Sequence, residues 1–154
     1  MKKIIAAVLL MFATTPLFAQ DDESLMTYEL AGQAMAAAEA YAREQGWNVT
    51  ILITDQNNNP VMLHRIDGAG GRTFQFATAK ALVVNATGLT SGEYGQQVQA
   101  GDREEIEGGV TFAGGVPVFR NGQHIGAIST SGVRALQDEE VSIAGAEVIG
   151  SISN

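Results

Sequence analysis

A two-residue turn, Asn121-Gly122, stands between two apolar runs and constrains the fold of this chain more than any other feature. The runs cover residues 116–119 and 124–130. Asn and Gly tolerate the positive φ angles that a two-residue hairpin turn requires, so this arrangement is the strongest short-range signal for a β-hairpin. The sequence therefore predicts two antiparallel strands in its C-terminal third.

A second strand pair is predicted around the polar run 55–60. Residues 49–54 are continuously apolar or β-branched, and residues 61–66 return after Pro60. Residues 109–112 are predicted as a fifth, short strand. Strands joined by tight turns indicate an antiparallel sheet.

Helices are predicted on either side of these strands. Thr27 is a candidate N-cap, and the apolar residues between positions 30 and 42 recur every three or four residues, which is typical of one helix face. Further helices are predicted over residues 72–85, 92–99 and 137–149. Because helices must bury their apolar faces against the sheet, the sequence predicts an α/β (α+β) fold with three layers.

The first nineteen residues form the pattern of a secretory signal peptide. Lys2 and Lys3 precede a short apolar run, and cleavage is predicted after Ala19, which leaves one domain over residues 20–154. The alternative is an uncleaved membrane anchor, but a spanning helix needs about 20 apolar residues and this run is shorter. We therefore expect a periplasmic or secreted protein without membrane insertion.

The charge and the cysteine count narrow the classes of partner. The formal net charge is -8 and the basic residues are scattered, so binding to nucleic acid or to anionic lipid is not expected. The chain has no cysteine, so an exported form must be held by packing or by oligomerisation rather than by disulfides.

Four residues stand out as candidates for ligand contacts. His64 could ligate a metal or haem iron, or it could be an ordinary histidine on a strand surface. Arg65 and Asp67 stand beside a glycine-rich loop, where they could hold an anion or pair with each other or with the backbone. Lys80 lies in an apolar helical stretch, so it must reach solvent, a carboxylate or a ligand propionate.

Motifs of catalysis are missing from the sequence. Residues 126–132 do not form the G-x-S-x-G nucleophile elbow, and the glycine-rich segments lack the strand–GxGxxG–helix context of a dinucleotide site. Two histidines and no cysteine argue against a dedicated zinc or copper site. Asp138, Glu139 and Glu140 are interpreted as first-turn helix residues.

Several short motifs, in this order and spacing, resemble the GlcG/HbpS-like family of haem-binding proteins. They are Arg65-Ile66-Asp67-Gly68-Ala69, Ala79-Lys80-Ala81, Gly88-Leu89-Thr90, Gly114-Gly115-Val116-Pro117, the run 126–132, and Gln137-Asp138-Glu139. The chain departs from the family pattern at Ser129-Thr130, at Leu89 and in the turn 57–60. The resemblance implies a profilin-like fold with a five-stranded antiparallel sheet and helices on both faces. It also implies homo-oligomers, and haem binding in some members.

The first functional hypothesis is an exported protein that binds haem loosely, for sequestration or sensing. His64 and Thr90 are the candidate axial donors, and Phe112 is a candidate wall of an apolar slot. Arg65, Arg72 and Lys80 are candidate partners of the propionates. A second hypothesis is a binder or sensor of a small organic acid that uses Arg65 without haem. A third is an enzyme acting on such a compound, which the missing catalytic motifs disfavour, and a fourth is a structural oligomer.

Overall fold

The computed structural model describes residues 25–154, so the predicted signal peptide of residues 1–19 lies outside the described residues. No helix in residues 25–154 is long and apolar enough to cross a bilayer. The described residues fold into four helices and four strands, which run in the order α1 Tyr28–Glu44, β1 Thr50–Asp55, β2 Pro60–Arg65, α2 Thr73–Thr87, α3 Ser91–Ala100, β3 Gly115–Arg120, β4 Gln123–Ser131 and α4 Ala135–Ala146.

The strands form one antiparallel sheet in the order β2-β1-β4-β3. The hairpin predicted at Asn121-Gly122 is confirmed, because β3 and β4 pair antiparallel on either side of it. Both turn residues have positive φ angles, 51° and 76°. The second predicted hairpin is also confirmed, since β1 pairs antiparallel with β2.

The two faces of the sheet are covered by different helices. Ile51, Ile53 and Ile128 point to the side of α1 and α4, where the larger apolar cluster lies. Leu52 and Ala127 point to the other side, where they pack against α2. Alternate residues of β1 therefore reach opposite cores, which is the three-layer α+β arrangement that the sequence predicts.

The expectation of five strands is wrong, because residues 109–112 form a loop with a bend rather than a strand. Gly108 and Gly114 have positive φ angles, 78° and 125°, and these left-handed conformations break the extended backbone on both sides of the segment. The outer edge of β3 is met instead by Ser151, which forms a bridge with Phe119.

Local signals set the ends of the helices. The Thr27 side chain accepts a hydrogen bond from the Leu30 amide at 3.2 Å, which caps α1 as predicted. Gly88, with φ of 70°, ends α2. Thr90 and Glu93 form a reciprocal capping box that starts α3.

Candidate functional site

The candidate residues from the sequence divide between two sides of the sheet. His64 pairs with Ile51 in the β1–β2 ladder, and Ile51 belongs to the core under α1 and α4. Thr90 and Phe112 line a cleft beside α3, which packs against α2 on the opposite side. The two candidate axial donors, His64 and Thr90, therefore do not converge on one ligand within a single copy of the chain.

His64 is held by a carboxylate of α1. Its Nδ1 lies 2.8 Å from Glu39 Oε2, and Arg43 donates to the other oxygen of Glu39 at 2.6 Å. The hydrogen bond from His64, followed by that from Arg43, lowers the pKa of Glu39 below its ordinary value of 4.5. The His64 side chain is 49% exposed, and Glu39 engages only its Nδ1 nitrogen.

The surface beside His64 is low and partly apolar. Gly32 of α1 lies next to Met62 of β2, because a Cβ at Gly32 would come within 4.0 Å of the Met62 methyl. Ala36 is exposed and stands one turn beyond Gly32 towards Glu39, on the same face of α1. Gly32, Ala36 and Glu39 share one face of α1 through their spacing of four and three residues.

Arg65 and Asp67 occupy the end of β2 and the loop that follows it. The Arg65 guanidinium donates to the carbonyl oxygen of Ala69, which ties this side chain to its own loop. Asp67 is exposed. Of the structural alternatives that the sequence left open for Arg65, pairing with the backbone is the one the structure contains.

Arg72 and Phe112 meet through a third side chain. The Arg72 guanidinium lies 4.9 Å from the centre of the Phe76 ring, and that ring packs edge to face against Phe112 at 5.8 Å. Phe112 in turn lies over the Lys80 ammonium, whose Nζ is 5.2 Å from the ring centre.

Lys80 is completely buried and has protein partners for its charge. Its Nζ donates to Asp138 Oδ2 at 2.8 Å and to the Thr130 carbonyl at 2.7 Å. Burial lowers the pKa of Lys80, while the Asp138 charge acts in the opposite direction. Of the three partners that the sequence left open, the structure contains the carboxylate, and the ion pair joins α2 to α4.

Gly114 makes room for this ion pair. A Cβ at this position would lie 2.2 Å from Lys80 Nζ. The Gly114 carbonyl accepts a hydrogen bond from Ser142 of α4 at 2.8 Å. The loop that carries Phe112 is therefore anchored to α4 directly above the buried pair.

A concave cleft with a volume of about 330 Å³ lies beside α3. Its walls are one face of α3, the loop 111–113 and the start of α4. It is lined by Thr90, Gly92, Glu93, Gly95, Gln96, Gln99, Thr111, Phe112, Ala113, Ala135, Leu136 and Glu139. The Thr90 hydroxyl at its edge already accepts the Glu93 amide hydrogen at 3.1 Å.

Glu139 is the half-buried acid of this cleft. Burial raises its pKa above the ordinary value of 4.5, and the charge of Glu93 acts in the same direction. The Gly114 amide donates to Glu139 Oε2 at 3.4 Å, and this hydrogen bond and the charge of Lys80 act against the rise.

Sequence reasoning missed Glu39 and Glu139. Glu39 lies 25 residues from His64, and no local pattern links them. Glu139 is close to the first turn of α4, so the interpretation as a helix residue is accurate but incomplete. The run Gln137-Asp138-Glu139, which carries the family resemblance, was the signal that could have marked it.

Together, these elements define a small α+β domain with a four-stranded antiparallel sheet. A family model described as "Haem degrading protein HbpS-like" matches residues 26–147, and the chain belongs to this HbpS-like family.

Known relatives agree with this assignment. Protein GlcG of Escherichia coli strain K12 is 27% identical over 109 residues, which cover 70% of this chain and 81% of GlcG. A crystal structure of a double mutant of HbpS from Streptomyces reticuli is 29% identical and has a TM-score of 0.76, covering 94% of this chain and 99% of that chain. The structure of a PduOC:heme complex shares the fold, with a TM-score of 0.78, 23% identity, and coverage of 84% and 99%.

Proposed function

We propose that this protein is an exported, periplasmic or secreted, small-ligand-binding protein that holds haem loosely for sequestration or sensing. The observation that carries the proposal is the His64–Glu39 pair on an exposed surface. Membership of a family described as HbpS-like, and the fold shared with a PduOC:heme complex, support haem as the ligand.

The His64–Glu39 pair has the geometry of a metal-ligating histidine. Such histidines commonly donate one ring N–H to a carboxylate, which fixes the tautomer and leaves the other nitrogen for the metal. Here Glu39 takes the Nδ1 side at 2.8 Å. Nε2 would then be the nitrogen that binds a haem iron, and Glu39 would raise its basicity.

The surroundings of His64 fit a weakly held haem. Gly32, Ala36 and Met62 offer a low surface on which a flat macrocycle could rest, and Arg43 is 62% exposed and could reach a propionate. This surface is open rather than a closed slot. Haem supplies the redox-active iron when bound, and the side chains of this chain supply the donor, its orientation and the counter-charge.

A titration of the purified apoprotein with haemin, followed in the Soret region, tests this proposal. We expect a saturable shift with one haem per chain. His64→Ala should abolish the shift, and Glu39→Gln should weaken binding by about 10-fold or more, because losing the carboxylate partner of a ligating histidine costs about 10–100-fold in affinity.

His124→Gln and Thr90→Val are the comparison variants. His124 is the second of the two histidines in the chain and packs against Phe119 at 5.3 Å, so its replacement should leave the titration unchanged. No saturable shift in the wild-type protein would refute haem binding. Full binding by His64→Ala with loss in Thr90→Val would refute the assignment of the donor.

A further inference from the structure

The cleft between α3, the loop 111–113 and α4 is separate from the surface around His64. Its volume of about 330 Å³ lies at the lower end of the range for small-molecule sites, which is about 300–1,000 Å³. Nothing in the proposed haem contact uses it, so its chemistry can be considered independently.

The charged side chains that line the cleft are all acidic. The lining residues include the carboxylates of Glu93 and Glu139 and, among the described residues, no Lys, Arg or His. Lys80 lies beneath the loop, but its Nζ donates to Asp138 and to a backbone carbonyl. The cleft therefore presents negative charge without a directly facing cation.

The N-terminus of α3 opens onto the same cleft, and a helix N-terminus by itself would favour an anion. In α3 the carboxylate of Glu93 already occupies this position. The Glu93 carboxylate accepts the Thr90 amide hydrogen at 3.0 Å, and the Thr90 hydroxyl accepts the Glu93 amide hydrogen at 3.1 Å. A ligand anion would have to displace this capping box and would then face Glu139.

Glu139 is positioned to receive a hydrogen-bond donor from the ligand. Gly114 orients its Oε2 from the loop side at 3.4 Å. A partly desolvated carboxylate gains more from a cationic donor than an exposed one does, because water screens the attraction less.

The mouth of the cleft is apolar. Phe112 is 40% exposed and Leu136 is 70% exposed, and both line the same opening. A ligand whose hydrocarbon part covered these two side chains would remove apolar surface from water.

We propose that this cleft binds a small organic ammonium ion, whose N–H groups donate to Glu139 and Glu93 and whose hydrocarbon part covers Phe112 and Leu136. The site and its ligand class are independent of haem binding at His64.

The test is a ¹⁵N NMR titration of the purified protein at neutral pH with three probes of one shape. Phenethylammonium, 3-phenylpropanoate and 3-phenylpropan-1-ol carry positive, negative and no charge. We expect saturable shifts with phenethylammonium, centred on the amides of Gly92 and Gly95, and no saturation with the other two.

Glu139→Gln and Glu140→Gln form a matched pair of variants. Glu140 is the next residue on α4, but it is exposed and accepts the Tyr41 hydroxyl on the α1 side at 2.9 Å. We expect Glu139→Gln to weaken phenethylammonium binding about tenfold, from the loss of one charge-assisted hydrogen bond. Glu140→Gln should change the affinity by less than twofold.

Several results would overturn this inference. Equal or tighter binding of the carboxylate or the alcohol would show that the cleft does not select a positively charged ligand. An unchanged affinity in Glu139→Gln would show that the Glu139 carboxylate does not contact the ligand. Saturation by Mg²⁺ or Ca²⁺ alone, without saturation by the ammonium probe, would assign the carboxylates to a metal ion instead.

Discussion

Replacing Lys80 by Met should destabilise the domain strongly, because the substitution keeps the aliphatic stem and removes the buried ammonium. Asp138, 4% exposed in its side chain, would keep its charge without the partner at 2.8 Å. The Thr130 carbonyl would lose its donor at 2.7 Å as well. Removing one member of a buried ion pair costs about 3–5 kcal/mol, since the remaining charge is left uncompensated.

That cost corresponds to a large shift in melting temperature. A domain of about 130 residues has an unfolding entropy near 0.27 kcal/mol/K, so the expected drop in Tm is about 11–18 °C. Thermal unfolding followed by circular dichroism, with urea unfolding as a second measure, gives the value. Gln75→Met, at an exposed position of the same helix, is the control and should stay within about 0.5 kcal/mol of wild type.

A double variant distinguishes the energetic contribution of the Lys80–Asp138 ion pair from that of side-chain packing. Adding Asp138→Asn to Lys80→Met removes the orphaned charge while keeping an acceptor for the Val133 amide, which now donates to Asp138 Oδ1 at 3.1 Å. The double variant should be more stable than the sum of the two single changes by about 1–3 kcal/mol. A loss below about 1 kcal/mol in Lys80→Met, or strict additivity in the double variant, would refute this reasoning.

Three further substitutions test single contacts through their effect on the stability of the fold. Gly95→Ala should cost about 1–3 kcal/mol in urea unfolding, because its Cβ would lie 2.0 Å from the Thr111 carbonyl oxygen; wild-type stability would contradict this packing. Tyr94→Phe removes the buried hydroxyl that accepts the Ile106 amide hydrogen at 2.7 Å, so hydrogen exchange at Ile106 should accelerate and stability should fall by about 1–3 kcal/mol. Burial raises the pKa of Glu139 above 4.5, so this carboxyl group stays protonated to a higher pH in the folded chain than in the unfolded chain. The stability of the fold therefore falls as the pH rises through the raised pKa. Glu139→Gln should therefore raise Tm at pH 7 but not at about pH 3.5, and an equal gain at both pH values would point to packing instead.

The elements that sequence predicted well are those whose signals are local. Asn121-Gly122 adopts the positive φ angles of a hairpin turn, and Thr27 caps α1, because in each case the chemistry lies within three or four residues. Residues 109–112 were predicted as a strand from apolar content, but Gly108 and Gly114 bend the backbone on either side. Gly114 also has to leave space for Lys80 Nζ, and this contact between distant segments arises only from tertiary packing.

The sites were harder to predict than the fold because they join distant segments. The cleft brings together α3, the loop 111–113 and α4, and its lining residues run from Thr90 to Glu139 along the chain. The partner of Lys80 lies 58 residues away. Single residues such as His64 could be singled out from their chemistry, whereas the carboxylate that orients His64 could be identified only from the fold.

The visible spectrum of the protein isolated from the exported fraction of cells that produce it tests the central claim most directly. We expect the processed chain in that fraction with a Soret band, or with one that appears in saturable fashion when haemin is added, and we expect His64→Ala to lack this band. A colourless exported protein that shows no spectral change with haemin would contradict haem binding at His64.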